Sequence, residues 1–227
     1  MVTMKKIAIV PAYNEEKTIA EVVSRLRNFV DEIIVVNDGS KDKTAEIIKK
    51  LDVTAVTHEK NKGYGGSIRS GFQKGLETGA DIFLLIDADL QHDPKEASRL
   101  IDFLVKNDCD IVIGSRFLEN TSKIPLYRSF GIKLFTLMTR VIMGLKITDS
   151  QSGFRAFNRK AIEKTVNFGS NDMGASIEML YLAKRSDLKI MEYPITCSYE
   201  NVEYSVPPLR HGLQLIKILL KIYLKYR

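Results

Sequence analysis

The sequence predicts an α/β fold in which a mostly parallel central sheet is flanked by helices. Short apolar runs alternate with segments of helical periodicity from the start of the 227-residue chain. The runs are continuously apolar, which is typical of parallel strands covered on both faces. Polar clusters follow several of these runs, at the sheet edge where open α/β sheets bind ligands.

The elements of the first half follow in order. The strand "KIAIV" precedes apolar positions at helical spacing and the strand "EIIVV". A short helix near residues 45–51, the strand "VTAVT" and the helix "GGSIRSGFQKGLE" come next. The strand "DIFLLID", the helix "PKEASRLIDFLVKN" and the strand "DIVIGS" complete this half. Helix-start signals support this order: Asp93 precedes Pro94, and Asn14 is expected to cap a turn that carries Glu15 and Glu16.

The alternation weakens after Phe117. A polar loop, "LENTSKIPLYRS", leads to the helix "GIKLFTLMTRVIMGL" and to "DSQSGFRAFNRKAIEKTV". The helix "SIEMLYLAKR", the strand "KIMEYPITCSY" and the closing helix "GLQLIKILLKIYLKYR" follow. We therefore expect one domain over residues 1–206 and an amphipathic basic helix over 207–227. Lys217, Lys221 and Lys225 form one stripe of that helix, which suits packing on the domain, a membrane surface or another chain.

Composition narrows the class of protein. The net charge of +6 indicates an anionic partner without choosing among nucleotide phosphates, an anionic bilayer and nucleic acid. Nucleic acid is not expected, because no basic stretch is interleaved with aromatic residues. Cys109 and Cys197 are far apart and no zinc-like cluster occurs, which predicts a reducing, cytoplasmic location. No run of eighteen apolar residues predicts a membrane span.

The stretch "DADLQHDP" carries the strongest chemical signal. Asp87 and Asp89 follow a buried strand and, in extended backbone, would point to the same face. Adjacent carboxylates repel each other, and a divalent cation relieves that repulsion. Gln91 adds a neutral oxygen, so Asp87, Asp89 and Gln91 are the predicted ligands of Mg²⁺ or Mn²⁺. Such a metal completes its shell with phosphate oxygens, which predicts a nucleoside diphosphate as the guest.

Four motifs, in order, resemble those of the inverting nucleotide-sugar glycosyltransferases of family 2, which have the GT-A fold. They are "VPAYNEEKTI", "VNDGSKDKT", "NKGYGGSIRSGF", which has Ser67 in place of the usual alanine, and "DADLQHDP". The resemblance covers about residues 5–200. Together with "GSRF" and "DSQSGFRAF", the acidic motif is similar to dolichol-phosphate mannose synthases and related polyprenyl-phosphate sugar transferases.

The resemblance implies the donor-binding residues, and the charge and position of other residues indicate further candidates. Donor-binding positions would be Pro11, Tyr13, Glu15, Val36, Asp38, Lys62, Asp87, Ala88 and Asp89. Candidate catalytic residues are Asp89, Arg116, whose planar guanidinium suits phosphate, and Asp149. Candidates to hold an acceptor phosphate are Lys123, Arg128, Arg155 and Arg210.

The implied activity is metal-dependent, inverting transfer of a sugar from a GDP- or UDP-sugar to a polyprenyl (dolichyl) phosphate at the cytoplasmic face of a membrane. A phosphate acceptor is ionised at neutral pH and needs no base. A saccharide hydroxyl, the alternative acceptor, needs one, and the candidates are Asp149, Asp172 and Glu178. The segment "SYENVEYSVPPLRHGLQL" departs from the Arg and G-x-S-K pattern of mannose synthases, which leaves the sugar and acceptor open.

Other classes fit less well. A Rossmann dehydrogenase requires G-x-G-x-x-G directly after the first strand, where this chain has "PAYNEE". A phosphatase with an aspartate nucleophile is disfavoured by Leu90 within the acidic stretch. A non-catalytic nucleotide-sugar-binding protein remains an alternative that a transfer assay distinguishes.

Overall fold

The architecture is a seven-stranded sheet in a computed structural model that describes residues 4–119, 124–198, 222, 224 and 225. The strands are β1 (Lys6–Ala12), β2 (Glu32–Asn37), β3 (Thr54–Thr57), β4 (Ile82–Leu85), β5 (Ile111–Ser115), β6 (Arg155–Asn158) and β7 (Ile190–Pro194). Their order in the sheet is β3-β2-β1-β4-β6-β5-β7. The predicted α/β fold with a mostly parallel sheet is confirmed.

One strand runs against the others. β6 lies between β4 and β5 and is antiparallel to both, with Ala156 opposite Leu84 on one side and Val112 on the other. Because β4 and β5 are both antiparallel to β6, they share a direction. β1, β2 and β4 are also mutually parallel. The polar clusters that follow β1, β2, β4 and β5 therefore meet at one edge, as the sequence predicts.

Helices cover the sheet on both faces. They are α1 (Ile19–Leu26), α2 (Thr44–Ile48), α3 (Tyr64–Glu77), α4 (Ala97–Lys106), α5 (Leu126–Met143), α6 (Arg159–Thr165) and α7 (Gly174–Arg185), and a 3-10 turn at Pro94–Glu96 leads into α4. α5 begins at Leu126, before the predicted start at Gly131. No helix in the described part of the chain combines the length and apolarity needed to cross a bilayer.

The core has two layers because strand side chains alternate between the faces of the sheet. Ile7 and Ile9 of β1 belong to one buried cluster, and Ala8 and Val10 belong to the other. α3 lies close to the first layer: a Cβ added at Gly71 would fall 2.3 Å from Ile9 Cγ2. This glycine therefore sets how closely α3 approaches the sheet.

The predicted helix starts have different outcomes. Asp93 accepts a hydrogen bond from the Lys95 amide at 3.1 Å and caps the 3-10 turn, as expected. The prediction for Asn14 is wrong, because α1 begins only at Ile19. Asn14 instead adopts a left-handed conformation with φ of 58°, and its side chain accepts from the Lys41 amide at 2.8 Å. It therefore ties the loop after β1 to the loop after β2.

Three described residues of the predicted C-terminal helix are helical. Ile222 is buried in the same cluster as Ile7, and Lys225 Nζ donates to Glu178 Oε1 at 2.7 Å. Lys225 therefore forms an ion pair with a buried carboxylate of α7, whereas the sequence predicted that it belongs to an exposed basic stripe. Lys217 and Lys221 lie outside the described residues.

Candidate active site

The acidic motif forms a turn directly after β4. β4 ends at Leu85, so Asp87 and Asp89 lie beyond the strand and not, as expected, on one face of extended backbone. The turn includes Leu90 in a left-handed conformation with φ of 59°. Asp89 Oδ1 accepts from the Gln91 amide at 3.0 Å. The turn therefore presents both carboxylates at the carboxyl edge of the sheet.

The two carboxylates are electrostatically coupled. Burial, followed by the charge of Asp89, raises the pKa of Asp87 to about 7. Burial also raises the pKa of Asp89, while the Gln91 amide and the charge of Arg128 oppose that rise. The pKa of Glu15 is raised by burial, with a further contribution from Asp89. Burial and mutual repulsion therefore oppose full ionisation of these carboxyl groups.

Tyr64 and Gly153, for which the sequence predicted no role, hold Asp87 in place. The Tyr64 hydroxyl, at the start of α3, donates to Asp87 Oδ1 at 2.9 Å. A Cβ at Gly153 would lie 2.2 Å from Asp87 Oδ2 and 3.0 Å from the Tyr64 oxygen. Tyr64 lies in the motif "NKGYGGSIRSGF" and Gly153 lies in "DSQSGFRAF". Their place in these motifs is the sequence feature that could have identified them. Gly153 is therefore required for space beside the carboxylate.

The donor set fits a hard divalent cation. In the described residues no cluster of three or more His, Cys, Asp or Glu side chains forms a self-sufficient metal site. Mg²⁺ and Mn²⁺ do not require one, because one or two carboxylates with water and substrate phosphate oxygens suffice. The charge of Asp89 raises the pKa of Asp87, and a divalent cation beside the two carboxylates would relieve this repulsion. Gln91 lies partly buried in the same turn.

Asp38, at the end of β2, organises the neighbouring loop. Its Oδ1 accepts from the Lys62 amide at 2.8 Å and contacts His58 Nδ1 at 2.7 Å, while Oδ2 accepts from the Gly63 amide at 2.9 Å. His58 Nε2 contacts Ser70 Oγ at 2.9 Å. The predicted donor-binding residue Asp38 is thus buried and joins β2 to the start of α3, leaving less capacity to accept from a ribose or base.

The other predicted donor-binding residues lie along β1, β2 and the acidic turn. Pro11, Val36 and Ala88 are buried, whereas Tyr13 is 43% exposed directly after β1. The Glu15 amide donates to Thr44 Oγ1 at 2.8 Å, and Glu15 Oε2 accepts from Thr18 Oγ1 at 2.8 Å. The exposed ring of Tyr13 is available for stacking on a planar ligand.

Arg116 and Asp149 form a buried bidentate ion pair. Arg116 Nε donates to Asp149 Oδ2 at 2.6 Å, and a terminal guanidinium nitrogen donates to Oδ1 at 2.7 Å. Burial raises the pKa of Asp149, but the Arg116 charge and its hydrogen bonds reverse that effect and lower it. Glu192 of β7 supports this segment by accepting from the Asp149 amide at 2.9 Å.

This pairing differs from the expected roles. The donors of Arg116 that would hold a leaving phosphate are directed at Asp149, and the paired Asp149 is no longer suited to act as a general base. The expectation for Arg155 needs correction as well. Its guanidinium is buried and donates to the carbonyl oxygens of Ser150, Ser152 and Ser176, each at 2.9 Å. Arg155 therefore joins β6 to its surroundings and does not face an acceptor phosphate.

Of the remaining acceptor-phosphate candidates, Arg128 is the one within the described residues. Arg128 lies in the first turn of α5 and is close enough to Asp89 for its charge to lower the pKa of that carboxyl. Its placement brings a cation toward the acidic turn from outside the sheet. Lys123 and Arg210 lie outside the described residues.

The two other base candidates lie near the start of α7. Glu178 is buried and accepts from the Gly169 amide, the Ser170 amide and Lys225 Nζ. Asp172 is exposed, and its Oδ1 accepts from the Gly174 amide at 2.8 Å. Asp172 also lines a cleft of about 500 Å³, whose other lining residues are Asn61, Lys62, Gly63, Gly169, Ser170 and Asn171.

This chain resembles known proteins over most of its length. Residues 7–166 match the model of the family described as glycosyl transferase family 2. A UDP-N-acetylglucosamine–dolichyl-phosphate N-acetylglucosaminyltransferase of Methanococcus voltae is 37% identical over 87% of this chain and 86% of its own length. A dolichol-phosphate mannosyltransferase of Pyrococcus furiosus is 34% identical over 85% of this chain and 56% of its own.

The fold has a solved counterpart. Glucosyl-3-phosphoglycerate synthase of Mycobacterium tuberculosis, crystallised with Mn²⁺, UDP and glucosyl-3-phosphoglycerate, superimposes with a TM-score of 0.73 at 21% identity, over 96% of this chain and 80% of the other. At that identity the likeness concerns the fold, which confirms the expected GT-A architecture. With the family match over residues 7–166 and the extended similarity to named transferases, the chain belongs to glycosyl transferase family 2 and is a glycosyltransferase.

Proposed function

We propose that this enzyme transfers a sugar from a GDP- or UDP-sugar to a polyprenyl phosphate, with inversion at the anomeric carbon. The observation that carries the proposal is the coupled acidic pair, in which burial and Asp89 raise the pKa of Asp87 to about 7. The pair lies at the sheet edge where α/β proteins bind nucleotides. Relatives of this chain are named for transfer to dolichyl phosphate, which supports a lipid phosphate as the acceptor.

Asp87, Asp89 and Gln91 would hold Mg²⁺ or Mn²⁺. A bound divalent ion would supply Lewis acidity that stabilises negative charge on the diphosphate leaving group. Tyr64 and Gly153 fix the orientation of Asp87 through a hydrogen bond and a close approach. Tyr13, Glu15 and the loop that Asp38 organises would bind the nucleoside, and Lys62 would contact the diphosphate or sugar.

The chemical step is a displacement at the anomeric carbon. A phosphate oxygen of the acceptor forms the new C–O bond while the bond to the diphosphate oxygen breaks and its electron pair leaves with the nucleoside diphosphate. The acceptor oxygen is already ionised at neutral pH, so no protein base is needed. Arg128 would attract the acceptor phosphate toward the acidic turn, and its electrostatic effect on Asp89 supports this role. A lipid-linked acceptor would place the enzyme at a membrane surface, and we infer the cytoplasmic face.

A hydroxyl acceptor is the second candidate, and the position of Asp172 supports it. Asp172 is the exposed member of the three base candidates and lines the cleft beside Lys62. A saccharide hydroxyl bound in this cleft would have the Asp172 carboxylate nearby as a general base. Loss of transfer to a saccharide in Asp172→Asn, with transfer to polyprenyl phosphate intact, would favour this second function.

The deciding experiment tests purified protein with a panel of GDP- and UDP-sugars, polyprenyl phosphate and Mg²⁺ or Mn²⁺. We expect transfer with one donor and its loss after chelation by EDTA. Asp89→Ala should abolish turnover, and Asp89→Asn, which keeps an acceptor for the Gln91 amide, should do the same in a folded protein. Asp102→Ala, an exposed carboxylate on α4, is the matched control. Full activity in Asp89→Asn or in EDTA would refute the metal role.

A further inference from the structure

The outer face of α5 exposes a continuous row of apolar side chains. Leu126, Phe130, Leu134, Leu137 and Val141 recur every three or four residues, which places them on one side of the helix. We name this row the α5 stripe. Its members are exposed by 89%, 70%, 48%, 52% and 76%. At 1.5 Å per residue the stripe is about 22 Å long.

The opposite side of α5 already meets the core. Phe135, Thr136, Thr139 and Met143 are buried, and Thr136 Oγ1 contacts Ser150 Oγ at 3.1 Å. The helix is therefore apolar on two sides, which a helix between core and water does not need. A contiguous exposed apolar patch of this size marks an interaction surface. No described residue covers the stripe enough to bury its members.

The charge on α5 indicates which partner fits. The helix contains Arg128, Lys133 and Arg140 and no acidic residue. Lys133 and Arg140 are exposed and, by helical spacing, lie along one edge of the stripe. A second copy of this face would oppose like charges, whereas an anionic bilayer complements both the cations and the apolar row. Apolar residues beside basic ones are typical of helices that lie in a membrane interface.

The stripe adjoins the acidic site. α5 is the first helix after β5, whose carboxyl end lies at the same edge of the sheet as the acidic turn. Lys133 Nζ of α5 lies 5.2 Å from the centre of the ring of Phe117, the residue directly after Arg116. We propose that the α5 stripe is a docking face that inserts into the interface of an anionic lipid bilayer and brings the acidic turn to the level of the lipid headgroups. The inference rests on the proposed function for the identity of the acceptor, but docking can be measured without it.

The test is sedimentation of the full chain with vesicles, without any acceptor. Vesicles of phosphatidylcholine with phosphatidylglycerol should bind the wild type, and pure phosphatidylcholine should bind it less. The variant Phe130→Ser/Leu137→Ser/Val141→Ser should partition at least about tenfold less onto the anionic vesicles. The control Met4→Ser/Val105→Ser changes exposed apolar residues elsewhere and should bind as the wild type does.

Several results would overturn the proposal. One is binding of the triple variant to anionic vesicles that equals binding of the wild type, and another is a wild type that does not bind these vesicles. Concentration-dependent dimers that dissociate in the triple variant would show that a second copy covers the stripe. A loss of unfolding free energy in the triple variant without a loss of vesicle binding would show that another part of this chain covers the stripe.

A water-soluble, short-chain polyprenyl phosphate separates this proposal from the proposed function. We expect the triple variant to use this acceptor as well as the wild type does, because the acidic turn is intact. Wild-type protein that binds vesicles and transfers no sugar to either acceptor would refute the proposed function and leave the docking face standing.

Discussion

The hydroxyl of Tyr64 donates a 2.9 Å hydrogen bond to Oδ1 of Asp87 and so connects the start of α3 to the acidic turn after β4. Burial, together with the charge of Asp87, raises the pKa of Tyr64 well above 10, so the phenol stays protonated and remains a donor. Asp87 is thereby presented in one orientation.

Tyr64→Phe removes the donor and keeps the ring. We expect weaker Mn²⁺ binding in the presence of nucleoside diphosphate, by about tenfold or more, because Asp87 loses the hydrogen bond that orients it and loss of such a partner of a metal ligand typically costs about 10–100-fold in metal affinity. Calorimetric titration with Mn²⁺ measures the effect without turnover. Because the lost hydrogen bond is present in the metal-free protein, urea unfolding should also show a loss of stability of about 1.5–3 kcal/mol. An unaltered Mn²⁺ affinity would mean that Tyr64 does not position Asp87.

Gly153→Ala acts on the other carboxylate oxygen. The new Cβ would meet Asp87 Oδ2 at 2.2 Å, so the Asp87 side chain or the backbone just before β6 must shift. We expect a destabilisation of about 1–3 kcal/mol and loss of most activity. Gly131→Ala on α5, where nothing lies within 4 Å of the added Cβ, is the control and should be neutral or slightly stabilising. Normal activity in Gly153→Ala would contradict the proposed crowding.

Asp87→Asn should stabilise the metal-free protein at alkaline pH. The folded-state pKa of Asp87 is raised from 3.8 to about 7, so the folded protein holds this proton more tightly than the unfolded chain. The free energy of unfolding therefore falls as pH rises through this window. In EDTA at pH 8 the variant should be more stable by about 1–3 kcal/mol, with little difference below pH 4. Urea unfolding at several pH values checks this, and equal stability at pH 8 would contradict it.

Asp149→Ala should destabilise the fold. The change leaves Arg116 buried without its bidentate partner, a loss that costs about 3–5 kcal/mol. The pKa of Asp149 is lowered, so its contribution to stability is present above 3.8 and is lost as pH falls through the still lower folded-state value. Asp102→Ala should leave the urea midpoint unchanged. A variant as stable as the wild type would show that the pair does not hold the fold.

The edge of the sheet that carries the site was predictable from local pattern. Continuous apolar runs indicated parallel strands, and polar clusters after β1, β2, β4 and β5 indicated one ligand-binding edge. The acidic turn was identified for the same reason, since two carboxylates after a buried strand are costly without a cation. These patterns depend only on residues that are close in sequence, so they can be recognised without knowledge of the tertiary structure.

The partners of charged side chains were not predictable. The sequence indicated ligand-binding roles for Arg116 and Arg155 from their positive charge. In the folded protein Arg116 instead pairs with Asp149. Arg155 donates to three backbone carbonyl oxygens. The sequence by itself determined the strand order along the chain, the acidic turn and the family motifs. Only the tertiary structure decided that the antiparallel β6 brings Gly153 against Asp87 and that α5 exposes an apolar face. The physical reason is that hydrogen-bond partners and burial depend on which distant segments pack together, whereas periodicity is a property of each segment alone.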